Sequence, residues 1–258
     1  MNEVSRFTKA AIDVRVYATK DSLGEAAAAH VADIIRHAIL MRGQARVIFA
    51  TGASQYEFLA ALVRLKDRVY WPLVTAFHLD EYIGLPDTHP ASFRRYLHER
   101  LFSLLPFKTV HLLDGTAANP KSEVERYASL LASGPIDLAC VGIGENAHLA
   151  FNDPPADFET KRLVHVVTLD EACRRQQVGE GHFPSMEAVP TQALSLSVPA
   201  ILQADKISCV VPDARKAAAV QCALEGPVTP DCPASGLQRH NHTTVFLDVD
   251  SAAGLTTR

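Results

Sequence analysis

Apolar and polar positions recur along this chain in two periods. Within residues 23–41, Val31, Ile34, Ile35 and Ala38 fall at i, i+3, i+4 and i+7, the stripe of a helix laid against a sheet. Ser22 is read as its N-cap and Gly43 as its stop. Short apolar runs at 11–17, 46–50, 74–79, 136–141, 164–168, 193–198, 207–211 and 244–248 read as strands. Segments 56–66, 91–103, 119–132 and 216–225 read as further helices. Strands alternating with helices predict βαβ units, hence an α/β fold with a mainly parallel, Rossmann-like sheet covered by helices on both faces. No repeat or long linker interrupts the pattern, so residues 1–258 are read as a single domain. The glycine- and proline-rich stretch 179–190 is the one marked irregular excursion, a candidate lid.

Composition narrows the function. The chain has 258 residues, 48% hydrophobic and 21% charged, with a formal net charge of -4. That supports a buried core and offers no basic stripe for nucleic acid, which points to a small-molecule substrate. Five cysteines without a C-x-x-C pair, two of them inside apolar strands, suggest reduced thiols and a cytoplasmic protein. The N-terminus lacks the pattern of a secretory signal, and no apolar run is long enough to span a membrane.

Chemistry gathers at three predicted strand ends, where parallel sheets open into ligand-binding crevices. After the strand at 46–50, Thr51, Gly52, Ala53 and Ser54 offer hydroxyls, backbone N–H groups and a helix N-terminus to an anion. The turn is neither a P-loop nor a dinucleotide fingerprint, and a plain helix start capped by Ser54 is the competing reading. Next, Asp80 and Glu81 follow the strand at 74–79. One of two adjacent carboxylates can face the crevice as a base, whereas a solvated surface pair is the alternative. Third, a glycine turn at Gly142 and Gly144 delivers His148 among Asn146, Asn152 and Asp153, either as an acid–base group or as a hydrogen-bonded structural histidine. Neither the acidic pair nor the surface-like His240 and His242 turn has recognisable metal-ligand spacing, so no metal is expected.

Two of these segments carry a family resemblance. Asp80-Glu-Tyr-Ile-Gly-Leu-Pro86 with His89-Pro90, and Gly142-Ile-Gly-Glu-Asn-Ala-His148-Leu-Ala-Phe-Asn152-Asp-Pro154, resemble the two signatures of glucosamine-6-phosphate deaminases, also called isomerases. The likeness extends to Thr51–Ser54, to 189–196 and to Arg215-Lys216-Ala217. The resemblance implies conversion of an aldose 2-amino-2-deoxy-6-phosphate to a ketose 6-phosphate with release of ammonia, without a cofactor or obligatory metal. It implies Asp80 as the base between C2 and C1. It gives ring opening to His148, oriented by Asp153 and Asn146, and the phosphate to Thr51, Gly52, Ala53, Ser54 and Lys216. It leaves self-association of the chain open. Related 6-phosphogluconolactonases share the Gly-x-Gly-x-x-x-His core but lack the continuations seen here. Lactone hydrolysis and a sugar-phosphate-sensing module are the other readings, the latter wanting a helix-turn-helix that the short N-terminus cannot hold. The chain departs from the family pattern at Asn146, where aspartate is common, at Ala147 for glycine and at Asp153 for glutamate. A phosphate-contacting arginine of the family falls on Gln177, with Arg174 and Arg175 as nearby substitutes, and activator-site residues are unmatched around 156–165.

Overall fold

The computed structural model describes residues 3–179 and 181–256. Its strands are β1 (Glu3–Lys9), β2 (Ile12–Tyr17), β3 (Ala45–Phe49), β4 (Val74–His78), β5 (Asp80–Tyr82), β6 (Thr109–His111), β7 (Leu138–Val141), β8 (Val164–Thr168), β9 (Gln192–Leu196), β10 (Ile207–Val211) and β11 (Thr243–Asp248). The helices are α1 (Lys20–Arg42), α2 (Tyr56–Arg64), α3 (Phe93–Leu97), α4 (Pro120–Ala132), α5 (Glu171–Gly179), α6 (Val198–Ile201) and α7 (Ala217–Glu225). Eight strands form the central sheet in the order β1-β2-β11-β10-β7-β3-β4-β6. Only the β1–β2 hairpin pairs antiparallel there.

The parallel strands are apolar along their length because both faces are covered. In β3, Val47 and Phe49 face a core shared with α1 and α2, while Ile48 faces the opposite core with Tyr127 and Leu131 of α4 and Val220 and Leu224 of α7. The chain builds β3, β4 and β6 in one direction and β7, β10 and β11 in the other, so the order reverses between β3 and β7. Such a reversal splits the connections to opposite sides and opens a crevice at the strands' carboxyl ends.

Several expectations change. The first strand is preceded by β1, whose partly exposed edge alternates too weakly to read as buried sheet. Helix α1 starts earlier than expected: Thr19 is its N-cap, and Ser22 is the third residue of a capping box, donating and accepting with Thr19. Gly43 closes it in the left-handed conformation. The expected helix at 91–103 is α3 followed by a π-helical turn at His98–Phe102, capped by Ser92. The run at 74–79 divides after His78, and 193–198 is not in the main sheet. β4 stays in the main sheet, while β5 just after it, β8 and β9 form a second, antiparallel sheet in the order β5-β9-β8. Finally, His240 is buried rather than on a surface-like turn, bonded to Thr243 Oγ1 and the Ala204 carbonyl.

Candidate active site

A cleft of about 230 Å³ lies at the carboxyl ends of β3, β4, β7 and β10. It brings together Thr51, Gly52, Ala53, Ser54, Asp80, His148 and Lys216, with Gln177 at the position of the family's arginine and Arg215 beside Lys216, and adds Lys20, which sequence reasoning did not single out. Of the expected site residues, Asn146 and Asp153 stand behind His148 rather than on the cleft wall.

The loop after β3 turns at Gly52, whose φ of 99° lies where a side chain would be strained. Ser54 is not the helix cap. It sits inside a short 3₁₀ turn, Ala53–Gln55, and its hydroxyl accepts a bond from Gln55 Nε2. Gln55 is itself buried and donates to the Val210 carbonyl, which ties this loop to the end of β10. From β10 the chain enters another 3₁₀ turn, Ala214–Lys216, capped by Asp213. Asp213 pairs with Lys20 at 3.1 Å and with Arg215 at 3.4 Å. Burial pushes its carboxyl up, but these cations and the Arg215 N–H outweigh it and bring it down to about 2. The Lys216 side chain is buried among them. Three cations and a helix-start loop thus converge on one end of the cleft, an arrangement suited to a dianion.

At the other end the adjacent acids part company. Glu81 is fully buried and saturated: it accepts from Tyr82 N, Ser92 Oγ, Phe93 N and Arg94 N, and lies 3.4 Å from Arg94 Nε. It caps the start of α3. Asp80 is buried as well, and its Oδ1 has no hydrogen-bond partner among the described residues. Desolvation, and then the neighbouring Glu81 charge, raise its carboxyl well above the usual range. The acidic pair is therefore not a solvated surface.

His148 follows a tight turn in which Gly144 N–H donates to the His148 carbonyl and Ala147 N–H to the Gly144 carbonyl. A Cβ on Gly144 would fall 2.3 Å from the imidazole, so only glycine lets the ring lie there. Ala147 holds a left-handed φ of 65°, a conformation that glycine adopts without strain. His148 Nδ1 stands 3.2 Å from Asp153 Oδ1, close enough for an ion pair but off the line of a hydrogen bond. Asn146 Nδ2 donates to the same oxygen at 3.0 Å, and Asp170 N–H donates to Asp153 Oδ2. Burial raises the Asp153 carboxyl, but His148 and these donors together hold it below its ordinary value. The loop is anchored on the second sheet: Phe151 N–H donates to Ser195 Oγ, and Asn152 Nδ2 bonds the Leu196 carbonyl.

Arg174 and Arg175 do not reach the cleft. Arg174 donates to the Met186 and Val189 carbonyls, and Arg175 pairs with Glu171 on the exposed face of α5. The candidate lid is packed down in its described part, with Phe183 against Tyr82 and His89. Glu180 of that stretch lies outside the described residues.

Residues 18–246 match the family model described as glucosamine-6-phosphate isomerases/6-phosphogluconolactonase. The chain belongs to this family. A glucosamine-6-phosphate deaminase of Exiguobacterium sibiricum is 41% identical over 191 residues, 74% of each chain. One from Streptococcus pneumoniae is 37% identical over 212 residues, 82% of this chain and 88% of that one. A solved monomeric glucosamine-6-phosphate deaminase superposes with a TM-score of 0.86 at 32% identity, covering 94% of this chain and 99% of that one. A 6-phosphogluconolactonase from Trypanosoma brucei shares the fold at 20% identity, TM-score 0.76, covering 98% of this chain and 100% of that one. In this member of the family, no described helix is long and apolar enough to cross a membrane.

Proposed function

We propose that this protein deaminates an aminosugar 6-phosphate, converting glucosamine 6-phosphate and water to fructose 6-phosphate and ammonia. The observation that carries the reading is Asp80: a buried carboxylate with a bare oxygen, in the cleft that also holds an anion-binding end and an oriented histidine. A carboxylate desolvated in this way is a stronger base once ionised. The two most similar relatives named above are glucosamine-6-phosphate deaminases, and the whole chain acts as one catalytic unit, since the cleft draws on residues from Lys20 to Lys216.

The steps follow from the residues. Thr51 to Ser54 and Lys216, with Lys20 and Arg215, hold the phosphate, and that remote binding fixes the sugar carbons over Asp80. His148 takes the proton of the C1 hydroxyl and returns one to the ring oxygen, which opens the ring. Asp153 selects the tautomer with the proton on Nδ1, leaving Nε2 to act. Asp80 then removes the C2 proton to give an enolamine and delivers it to C1. Water hydrolyses the resulting ketimine and releases ammonia. Asn146, neutral where relatives carry aspartate, restrains Asp153 through a hydrogen bond without adding charge.

Five unpaired cysteines suit a reducing compartment, in line with a cytoplasmic enzyme. The test is ammonia release from glucosamine 6-phosphate, galactosamine 6-phosphate and their N-acetyl forms, beside hydrolysis of 6-phosphogluconolactone. Ammonia from glucosamine 6-phosphate supports the reading. Lactone hydrolysis without ammonia release overturns it, since opening a lactone requires no C2 base.

A further inference from the structure

Cys173, on α5, has no part in the proton transfers above, yet it is buried directly against them. Its Sγ, a His148 ring nitrogen and an Asp153 carboxylate oxygen all lie within 4.8 Å of one another. Nitrogen, oxygen and sulfur ligands in one cluster are the donor set of zinc and similar borderline cations. The 3.2 Å separation of His148 Nδ1 and Asp153 Oδ1 already matches one edge of a tetrahedron whose metal bonds are about 2.0–2.3 Å.

We infer that His148, Asp153 and Cys173 form a binding site for a thiophilic divalent cation such as Zn²⁺, and that its occupancy switches the cleft off. The site extends beyond the proposed reaction and relies on that reading only for the inhibition. Burial, then the Asp153 and Asp170 carboxylates, push the Cys173 thiol up. On binding, the thiol loses its proton to solvent, and the thiolate and Asp153 together supply two negative charges that balance the metal. Supporting bonds are in place, since Asn146 Nδ2 and Asp170 N–H each hold an Asp153 oxygen.

The consequence for His148 follows from its tautomer. A metal on Nδ1 moves the ring proton to Nε2, so the nitrogen that must accept the sugar's hydroxyl proton becomes a donor. Ring opening stops while phosphate binding persists.

Titration of the full chain with Co²⁺ tests the site without any substrate, through the near-ultraviolet charge-transfer absorption of a thiolate–Co(II) bond. One equivalent should produce this band in the wild type and in Cys222→Ser, where the half-buried cysteine elsewhere is removed. Cys173→Ser should abolish it, and Asp153→Asn, which keeps the thiol, should raise the Co²⁺ concentration needed by at least about 10-fold. Zn²⁺ inhibition, taken relative to each variant's own metal-free rate and reversed by chelator, should weaken in parallel. No band in the wild type, or a band that survives Cys173→Ser, overturns the assignment. If the band follows Cys173 while the protein releases no ammonia from aminosugars, the metal site stands and the proposed reaction falls.

Discussion

At the two ends of the parallel sheet, buried charge is treated in opposite ways. At the amino end of β3, Arg46 lies over the Phe77 ring at 4.9 Å and spends its guanidinium on the last carbonyls of α4 and the turn after it. It donates to Leu130, Leu131, Gly134 and Pro135 and to Ser133 Oγ. Asp137 beside it accepts from Arg46 N–H and pairs with Arg42 at 2.6 Å. At the carboxyl end, Asp80 Oδ1 is left without a hydrogen-bond partner among the described residues. Saturated charge fixes helix α4 to the sheet, whereas unsaturated charge costs stability and is kept where a substrate can complete it. Glu81 makes the same point one residue from Asp80, since it is wholly bonded and holds α3.

Substitutions at the two ends should therefore separate rate from stability. The largest effect is expected for Asp80→Asn, which keeps the shape and removes the base. Deamination should fall by about 10² to 10⁴-fold with substrate affinity retained, as steady-state rates and equilibrium binding would reveal. Loss of stability with little loss of rate would reverse the comparison. Arg46→Ala should do the opposite, lowering unfolding free energy by about 2 to 4 kcal/mol because one buried and several part-buried carbonyls lose a charged donor. Denaturant melts should register that loss while kcat stays near wild type, and a large fall in kcat of the folded variant would extend the active site to the far end.

Lys216→Ala is expected to come next, weakening phosphate binding by roughly 1.5 to 3 kcal/mol. It should act on KM more than on kcat, and unphosphorylated glucosamine should lose the distinction between variant and wild type. An equal penalty on both sugars would remove Lys216 from the phosphate site.

The smallest effect is one of pH. Asp80 has its folded pKa raised, so the native state keeps a proton that the unfolded chain has lost. Stability should thus fall as pH climbs from about 4 through the folded value of Asp80, and Asp80→Asn should reduce that fall, leaving the part due to Glu81 and Asp137, whose carboxyls burial also raises. Asp153 is lowered, and its contribution runs the other way, present above its unfolded pKa and lost as pH falls through the folded one. Melting temperatures of wild type and Asp80→Asn across mildly acid to neutral pH would compare the two. Because the base must be ionised, the acid limb of kcat/KM should also lie above the ordinary carboxylate range. A limb at the ordinary value would mean that Asp80 is solvated during turnover.

The parallel sheet and the three strand-end segments were legible because uninterrupted apolar strands and glycine turns are local signals. The second sheet was not. β5 is the three residues Asp80–Tyr82, two of them charged, and its strand character comes from pairing with β9 far along the chain. That pairing buries the acids that composition places on the surface. Cys173 and Lys20 were missed for a related reason: each comes from an element whose own pattern says nothing about the site, and only the fold brings them to it. Ser22 was misread as a cap because Thr19 already begins the turn, and the competing reading of Ser54 as a cap fails because the turn begins at Gly52.

The central claim is that Asp80 moves the C2 proton and His148 only opens the ring. Exchange of the C2 hydrogen of glucosamine 6-phosphate with deuterated solvent, followed in both variants, addresses it most directly. Asp80→Asn should abolish exchange on the cyclic sugar and on an open-chain analogue alike, while His148→Gln should lose exchange on the cyclic sugar and regain part of it on the open-chain analogue. Wild-type exchange in Asp80→Asn would contradict the account.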